Sequence, residues 1–209
     1  MNKVVMDKLF TIGHSNYEVD KFIDLLKKNN INCVIDVRSV PFSQYATQFN
    51  KNEIHQALNN SGITYIYMGE EFGARRHNRN LYDVDGKLDF EKTARSEEFL
   101  KGVSRVKEGL SKGYNIAFMC AEKMPYDCHR CILVGKAFFD MGYDVQNILE
   151  DGSTVSQSEI GTILVNRYFP NRNQISLFTM DNPKSNEAYM QEAYKLREKE
   201  IAYSIADER

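Results

Sequence analysis

The chain has little cysteine, no long apolar run and no excess of either charge. Four cysteines in 209 residues do not make a secreted disulfide framework, and three of them crowd into positions 120–131. Clustered thiols of this kind point to metal or redox chemistry more than to structural bridges. No apolar stretch approaches the roughly 20 residues of a membrane span, so no membrane association is expected. The opening Met-Asn-Lys-Val-Val-Met-Asp-Lys lacks the apolar core of a signal peptide, which makes the cytoplasm the expected compartment. A formal net charge of −2 gives no global attraction to nucleic acid or to an anionic membrane. Glycine-rich phosphate loops, a G-x-G-x-x-G after a strand and a serine-hydrolase elbow are all missing. No internal repeat or low-complexity segment is present, and no cofactor is implied.

What remains is an ordinary globular composition, 42% hydrophobic and 27% charged, in a chain long enough to bury a core. Strand-like and helix-like segments alternate through the first 150 residues. Residues 9–13, 33–37, 63–68, 114–119 and 145–149 are short apolar runs that predict strands. Between them, Val19, Phe22, Ile23 and Leu26 share one helical face. Asn50 with Glu53 forms a capping-box pattern ahead of Ile54, Ala57 and Leu58. Ser96 precedes a helix bearing Phe99, Val103, Val106 and Leu110, and residues 128–141 predict another, stopped by Gly142. The stretch 69–95 is polar and irregular. Single helices between strands imply a mainly parallel sheet with helices on both faces, a three-layer α/β fold.

After Gly152 the character changes. Ser156 with Glu159 caps a helix ending at Pro170, residues 171–183 read as loop with an apolar patch at 175–178, and a charged helix follows over 185–205. Its expected contacts are Tyr189, Leu196 and Ile201. The expected organisation is an α/β domain over 1–152 and a C-terminal helical extension over 153–209 packed on it.

The polar residues that follow each strand all fall on the carboxyl edge of such a sheet, where open α/β folds bind ligands. They are His14 and Ser15, then Arg38 and Ser39, then Glu70 and Glu71 with the cluster Arg75, Arg76, His77 and Arg79, then Cys120 and Glu122, and finally Glu150 and Asp151. The densest segment is Cys120-Ala-Glu-Lys-Met-Pro-Tyr-Asp-Cys-His-Arg-Cys131. Thr11-Ile-Gly-His-Ser15, Asp36-Val-Arg-Ser-Val-Pro41 and Cys120-Ala-Glu with Pro125 and Cys128-His-Arg130 resemble, in order, the signature of the bacterial and archaeal family called domain of unknown function 488. The resemblance spans roughly residues 9–150. It implies a three-layer α/β fold and singles out His14, Ser15, Asp36, Arg38, Ser39, Pro41, Cys120, Glu122, Cys128, His129 and Arg130. Cys131 lies outside the signature.

Each group has a functional and a plain structural reading. Cys128 and His129 at a helix start meet unpaired amides that favour a thiolate and anions, and Arg130 adds positive charge. Cys120 is either a small buried hydrophobe or a second reactive thiol able to contact Cys128. Arg38 is either a bidentate anion clamp or an ion-pair partner of Asp36 or Glu122. His14 suits acid–base work or a structural hydrogen bond, and Ser15 suits a helix cap. Arg75 and Arg76 belong either to a cationic lid or to a solvated loop, and Asp83, Asp85 and Asp89 offset their field. Zinc accepts the residue types of Cys120, Cys128, His129 and Cys131. Adjacent helical side chains diverge by about 100°, however, so Cys128 and His129 are not expected to share an ion, and no metal site is assigned. A strand-end cysteine also resembles rhodaneses and cysteine phosphatases, but their tight loop is replaced here by a longer connection containing Pro125.

The expected function is that of a cytosolic enzyme, a cysteine-dependent transferase or hydrolase acting on an anionic small molecule such as a nucleotide or a phosphorylated or sulfur-bearing metabolite. Cys120, Cys128, His14, Glu122 and His129 are its candidate catalytic groups, and Arg38, Ser39, Ser15, Arg130, Arg75 and Arg76 its candidate ligand contacts. A noncatalytic nucleotide- or nucleic-acid-binding module and a metal-supported scaffold are the alternatives.

Overall fold

A computed structural model of the chain describes residues 7–172 and 184–208. The apolar patch expected at 175–178 lies outside them. The strands are β1 (Lys8–Gly13), β2 (Cys33–Asp36), β3 (Thr64–Tyr67), β4 (Ile116–Cys120), β5 (Asp144–Ile148) and β6 (Thr154–Ser156). The α-helices are α1 (Val19–Lys28), α2 (Lys51–Asn60), α3 (Gly69–Phe72), α4 (Phe90–Ala94), α5 (Glu97–Ser111), α6 (Lys136–Asp140), α7 (Gln157–Tyr168) and α8 (Asn186–Ile201). A π-helical segment, Arg130–Gly135, runs directly into α6.

The strands form one sheet in the order β3-β2-β4-β1-β5-β6. Pairing is parallel from β3 to β5, and β6 closes the edge antiparallel to β5. The fold is therefore α/β with a mainly parallel sheet. Successive side chains on a strand point to opposite faces, and that period divides the core in two. Val34, Ala117 and Met119 pack with Phe22 and Leu26 of α1 and with Ile54 and Leu58 of α2. Cys33, Ile35, Ile116, Phe118 and Cys120 pack with Phe99 and Val103 of α5, Phe138 of α6, Leu164 of α7 and Tyr194 of α8.

This arrangement decides which connections meet at the carboxyl edge. The chain leaves β1 and β2 toward the face of α1 and α2. It leaves β4, which lies between them, toward the opposite face. The end of β4 is thus flanked on both sides by diverging connections, the situation that opens a crevice at the carboxyl edge of α/β sheets.

Several local expectations change. Asn50 precedes α2 without a side-chain cap; its Oδ1 instead accepts from the Ser43 amide at 2.7 Å, because the loop after β2 folds back on it. The Ser156–Glu159 capping box forms, but the residues just before it also pair as β6. The stretch 69–95 holds α3 and α4. On α8 the most buried residues are Ala193, Tyr194 and Arg197, while Tyr189 and Ile201 pack only partly and Leu196 is half-buried. Among the described residues no helix is long and apolar enough to cross a membrane.

Candidate functional site

β4 ends on Cys120, and its pairing with β1 continues past both strands. The His14 amide donates to the Cys120 carbonyl at 2.9 Å and the Ser15 amide to that of Ala121 at 2.8 Å. Ser15 makes this turn with a φ of +49°. The chain then loops through a 3-10 turn, Pro125–Asp127, and returns at Cys128 with an extended backbone, φ −137° and ψ 141°. His129 is the first residue in helical conformation, and the π-helical segment begins at Arg130. The helix expected over 128–141 therefore starts one residue late. The divergence expected of neighbouring helical side chains does not apply to Cys128 and His129, because Cys128 is extended.

The result is convergence. Cys120 and Cys128 are buried beneath Glu122, which is exposed, and beside His129, which is half-buried. Glu122 Oε2 lies 2.7 Å from Cys128 Sγ and 3.2 Å from Cys120 Sγ. His129 Nδ1 lies 3.7 Å from the Cys120 sulfur and 3.9 Å from that of Cys128. Its Nε2 donates to the Val37 carbonyl at 3.1 Å, which aims Nδ1 at both sulfurs. All four cysteines are free thiols. Two acidic groups 2.7 Å apart cannot both be ionised, so a proton must lie between Glu122 and Cys128.

Burial and neighbouring charge divide the protons unequally. Burial, with the Cys128 and Glu122 charges beside it, pushes the Cys120 thiol up. Burial would also push Cys128 up, but the hydrogen bond from Cys120 and the charges of Arg130 and His129 outweigh it and hold the Cys128 thiol well below its ordinary range. Burial and the Cys128 charge raise the Glu122 carboxyl. For His129, the Cys128 and Glu122 charges overcome burial and raise the imidazole. Arg130 is fully buried. Its Nη1 donates to the Glu122 carbonyl at 2.6 Å and its Nη2 to that of Lys123 at 3.1 Å, while its Nε has no partner among the described residues. It thus holds the loop and supplies positive charge behind the sulfurs. Cys131 points away, with Sγ 3.5 Å from Gln157 Oε1, and burial pushes its thiol up to about 12.

Arg38 has the ion-pair arrangement and not that of an open clamp. Its Nε and Nη2 grip the Asp36 carboxylate at 2.9 and 2.6 Å, Nη2 also donates to the Phe49 carbonyl at 2.8 Å, and Nη1 reaches His14 Nε2 at 3.0 Å. Burial lowers the guanidinium, but Asp36 more than offsets it and the net direction is up. Tyr65 donates to the same Asp36 carboxylate at 2.7 Å. His14 Nδ1 donates to the Ser15 carbonyl at 2.7 Å, so both ring nitrogens are engaged, and the ring stacks on Phe49 with centroids 4.2 Å apart. Burial and the Arg38 charge lower it to about 4, which keeps it neutral at physiological pH. His14 and Arg38 form a scaffold beside the thiols.

The remaining candidates lie farther from the sulfurs. Ser39 Oγ accepts from the Arg75 amide at 2.9 Å, which ties two loops together. Exposed Arg75 lies over the Tyr203 ring at 4.8 Å. Arg76 is buried, and its guanidinium donates to the carbonyls of Glu70 and Glu71 at the end of α3; it is no part of a solvated lid. Ser15 Oγ donates to Asn16.

Three supports were not anticipated from the sequence. A Cβ on Gly13 would sit 1.9 Å from the Glu122 carbonyl and 2.9 Å from Arg130 Nη2, so only glycine lets the loop close on β1. Gln157 Nε2 donates to the Cys131 carbonyl at 2.9 Å inside the π-helical turn. Arg197 of α8 reaches the loop between the cysteines, donating to the Tyr126 carbonyl at 2.7 Å and pairing with Asp127. The Ile-Gly-His run after a strand was a signal for Gly13. Nothing local marks the other two.

The three loops and the 120–131 segment thus share one edge, and the comparison with known families agrees with the signature read there. The model of the family described as Domain of unknown function DUF488 matches residues 18–136, more than half of the chain. The chain belongs to this family. The DUF488 match takes in Arg38 and the whole segment from Cys120 to Cys131. It leaves out His14 and Ser15 on one side and α7 and α8 on the other. No curated protein and no solved structure matches the chain.

Proposed function

We propose that this DUF488 protein is a cysteine-dependent enzyme, a transferase or hydrolase acting on an anionic small molecule at the carboxyl end of β4. The observation that carries this reading is the close set of Cys128, Glu122, Cys120 and His129 backed by the buried charge of Arg130. A thiolate beside a proton-bearing carboxyl is a paired nucleophile and acid. Cys128 Sγ attacks the electrophilic atom, the bond to the leaving group breaks, and the Glu122 proton passes to that group. Acceptor or water then releases the product from sulfur. Arg130 supplies the positive potential that draws an anion, while Arg38 acts through Asp36 and His14 as a positioning residue.

The test is a screen of phosphate, nucleotide and thiosulfonate esters with the full chain and its single serine variants. Cys128→Ser is expected to abolish turnover and Cys131→Ser to leave it intact. Equal turnover by Cys128→Ser and the parent, with Cys128 alkylated by iodoacetamide at pH 7 no faster than an unfolded thiol, sinks the reading. Nucleotide stabilisation that persists in both serine variants without turnover favours the noncatalytic alternative.

A further inference from the structure

We infer that Cys120, Cys128 and His129 form a binding site for a soft or borderline divalent cation, zinc foremost, with Glu122 as the fourth ligand. The two sulfurs and the imidazole nitrogen all lie within 4.8 Å of one another. Tetrahedral zinc, with bonds of about 2.3 Å to sulfur and 2.0–2.1 Å to nitrogen or oxygen, sets its ligand atoms roughly 3.5 Å apart. The observed sulfur–nitrogen separations, 3.7 and 3.9 Å, agree within a few tenths of an ångström. The carboxylate oxygen, at 2.7 and 3.2 Å from the sulfurs, needs only to draw back slightly.

Three further features fit an ion. The Nε2 bond to the Val37 carbonyl fixes the His129 tautomer and aims Nδ1 inward, the outer-shell arrangement of metal-binding histidines. Charge also balances: two thiolates and a carboxylate carry −3, a divalent ion leaves −1, and buried Arg130 brings the cluster to zero. The ligand loop is held at both ends, by Arg130 on the Glu122 and Lys123 carbonyls and by Arg197 on Tyr126. Exposed Glu122 leaves the ion a way in from solvent. The Cys-x-x-Cys pair is not the ligand set, because Cys131 turns toward Gln157. Two thiolates and an imidazole select zinc or cobalt over magnesium or calcium.

Metal occupancy uses the same atoms as the thiol chemistry proposed above, so the two states exclude each other. Binding displaces the Cys120 proton and the one shared by Glu122 and Cys128, and a bound ion masks the Cys128 nucleophile.

The experiment titrates cobalt(II), then zinc, into the reduced, metal-stripped full chain. The expected result is one ion per chain, the intense visible bands of tetrahedral cobalt, thiolate-to-cobalt charge transfer in the near ultraviolet, and displacement by zinc. Cys120→Ser and Cys128→Ser should each remove about half the charge-transfer intensity and weaken zinc binding by roughly 100-fold or more, while Cys131→Ser changes neither. Substoichiometric binding, a spectrum without charge transfer or one unchanged in Cys128→Ser overturns the site. Should the variants fail to fold, alkylation of the parent decides. Stoichiometric zinc must shield Cys120 and Cys128 together, and failure to do so refutes the inference. Rapid alkylation of Cys128 in a protein that ignores zinc overturns the metal site alone and leaves the thiol enzyme standing.

Discussion

Arg197 of α8 donates from Nε to the Tyr126 carbonyl, 2.7 Å away, in the loop that separates Cys120 from Cys128. The same side chain, almost fully buried, pairs with Asp127 and Glu200. A helix outside the matched family region therefore fixes the spacing of two thiols inside it.

Arg197→Ala should release that loop. Hydrogen bonds to charged groups contribute about 1.5–3 kcal/mol, so a loss of roughly 2 kcal/mol is expected in urea unfolding. Iodoacetamide labelling of Cys128 should change rate at the same time, and Arg197→Lys should restore part of the stability but little of the labelling profile, since one ammonium cannot replace the guanidinium fork. Unchanged labelling in Arg197→Ala would separate α8 from the site.

Asp36→Ala leaves the buried Arg38 guanidinium without its carboxylate. Removing one partner of a buried pair costs about 3–5 kcal/mol, more than most single substitutions. Tyr65→Phe, which deletes one hydrogen bond to the same carboxylate, should cost about 1 kcal/mol. Chemical denaturation that ranks the two the other way would contradict the scaffold role of Arg38.

His14 predicts an acid limit. Its ionisation lies near 4 in the folded chain against 6.5 ordinarily, so between those values the unfolded chain binds more protons and stability falls as pH drops. The contribution is fully present above pH 6.5 and lost progressively toward pH 4, and at about 1.4 kcal/mol per pKa unit it amounts to roughly 3 kcal/mol. His14→Gln should flatten that part of the stability curve, as measured by unfolding at stepped pH. An identical slope in both proteins would show that His14 does not titrate this way.

Gly13→Ala forces a Cβ into the Glu122 carbonyl. Because the obstacle is backbone, the loop must shift, at a cost of about 1–3 kcal/mol. Cys128 labelling should slow and the cobalt charge-transfer bands should weaken. A variant with normal stability and normal labelling would mean the loop does not rest on β1 as described.

Much of the architecture was legible because it rests on local chemistry. Period-two strands, the Ser96 and Ser156 caps and glycine stops name most elements directly. β6 was not legible, since Thr154-Val-Ser156 is a short edge strand whose last residue doubles as a helix cap. At the site, the gathering of Cys120, Glu122, Cys128, His129 and Arg130 followed from their common place after β4. The orientation of Arg38 did not, because it is decided by the Phe49 carbonyl and by Asp36 held from Tyr65, groups that meet only in three dimensions. The pairing of Cys128 with His129 depends on one extended residue ahead of the helix, a detail that helical periodicity hides.

The wide turn at Arg130–Gly135 has an evolutionary reading. Such a turn amounts to one residue added to a regular helix. Deleting a single position there would leave a tighter and intrinsically sturdier rod, yet it would swing Arg130 about 100° around the axis and strip the sulfurs of their cation. The irregular coil is the register that keeps this arginine aimed at the sheet edge.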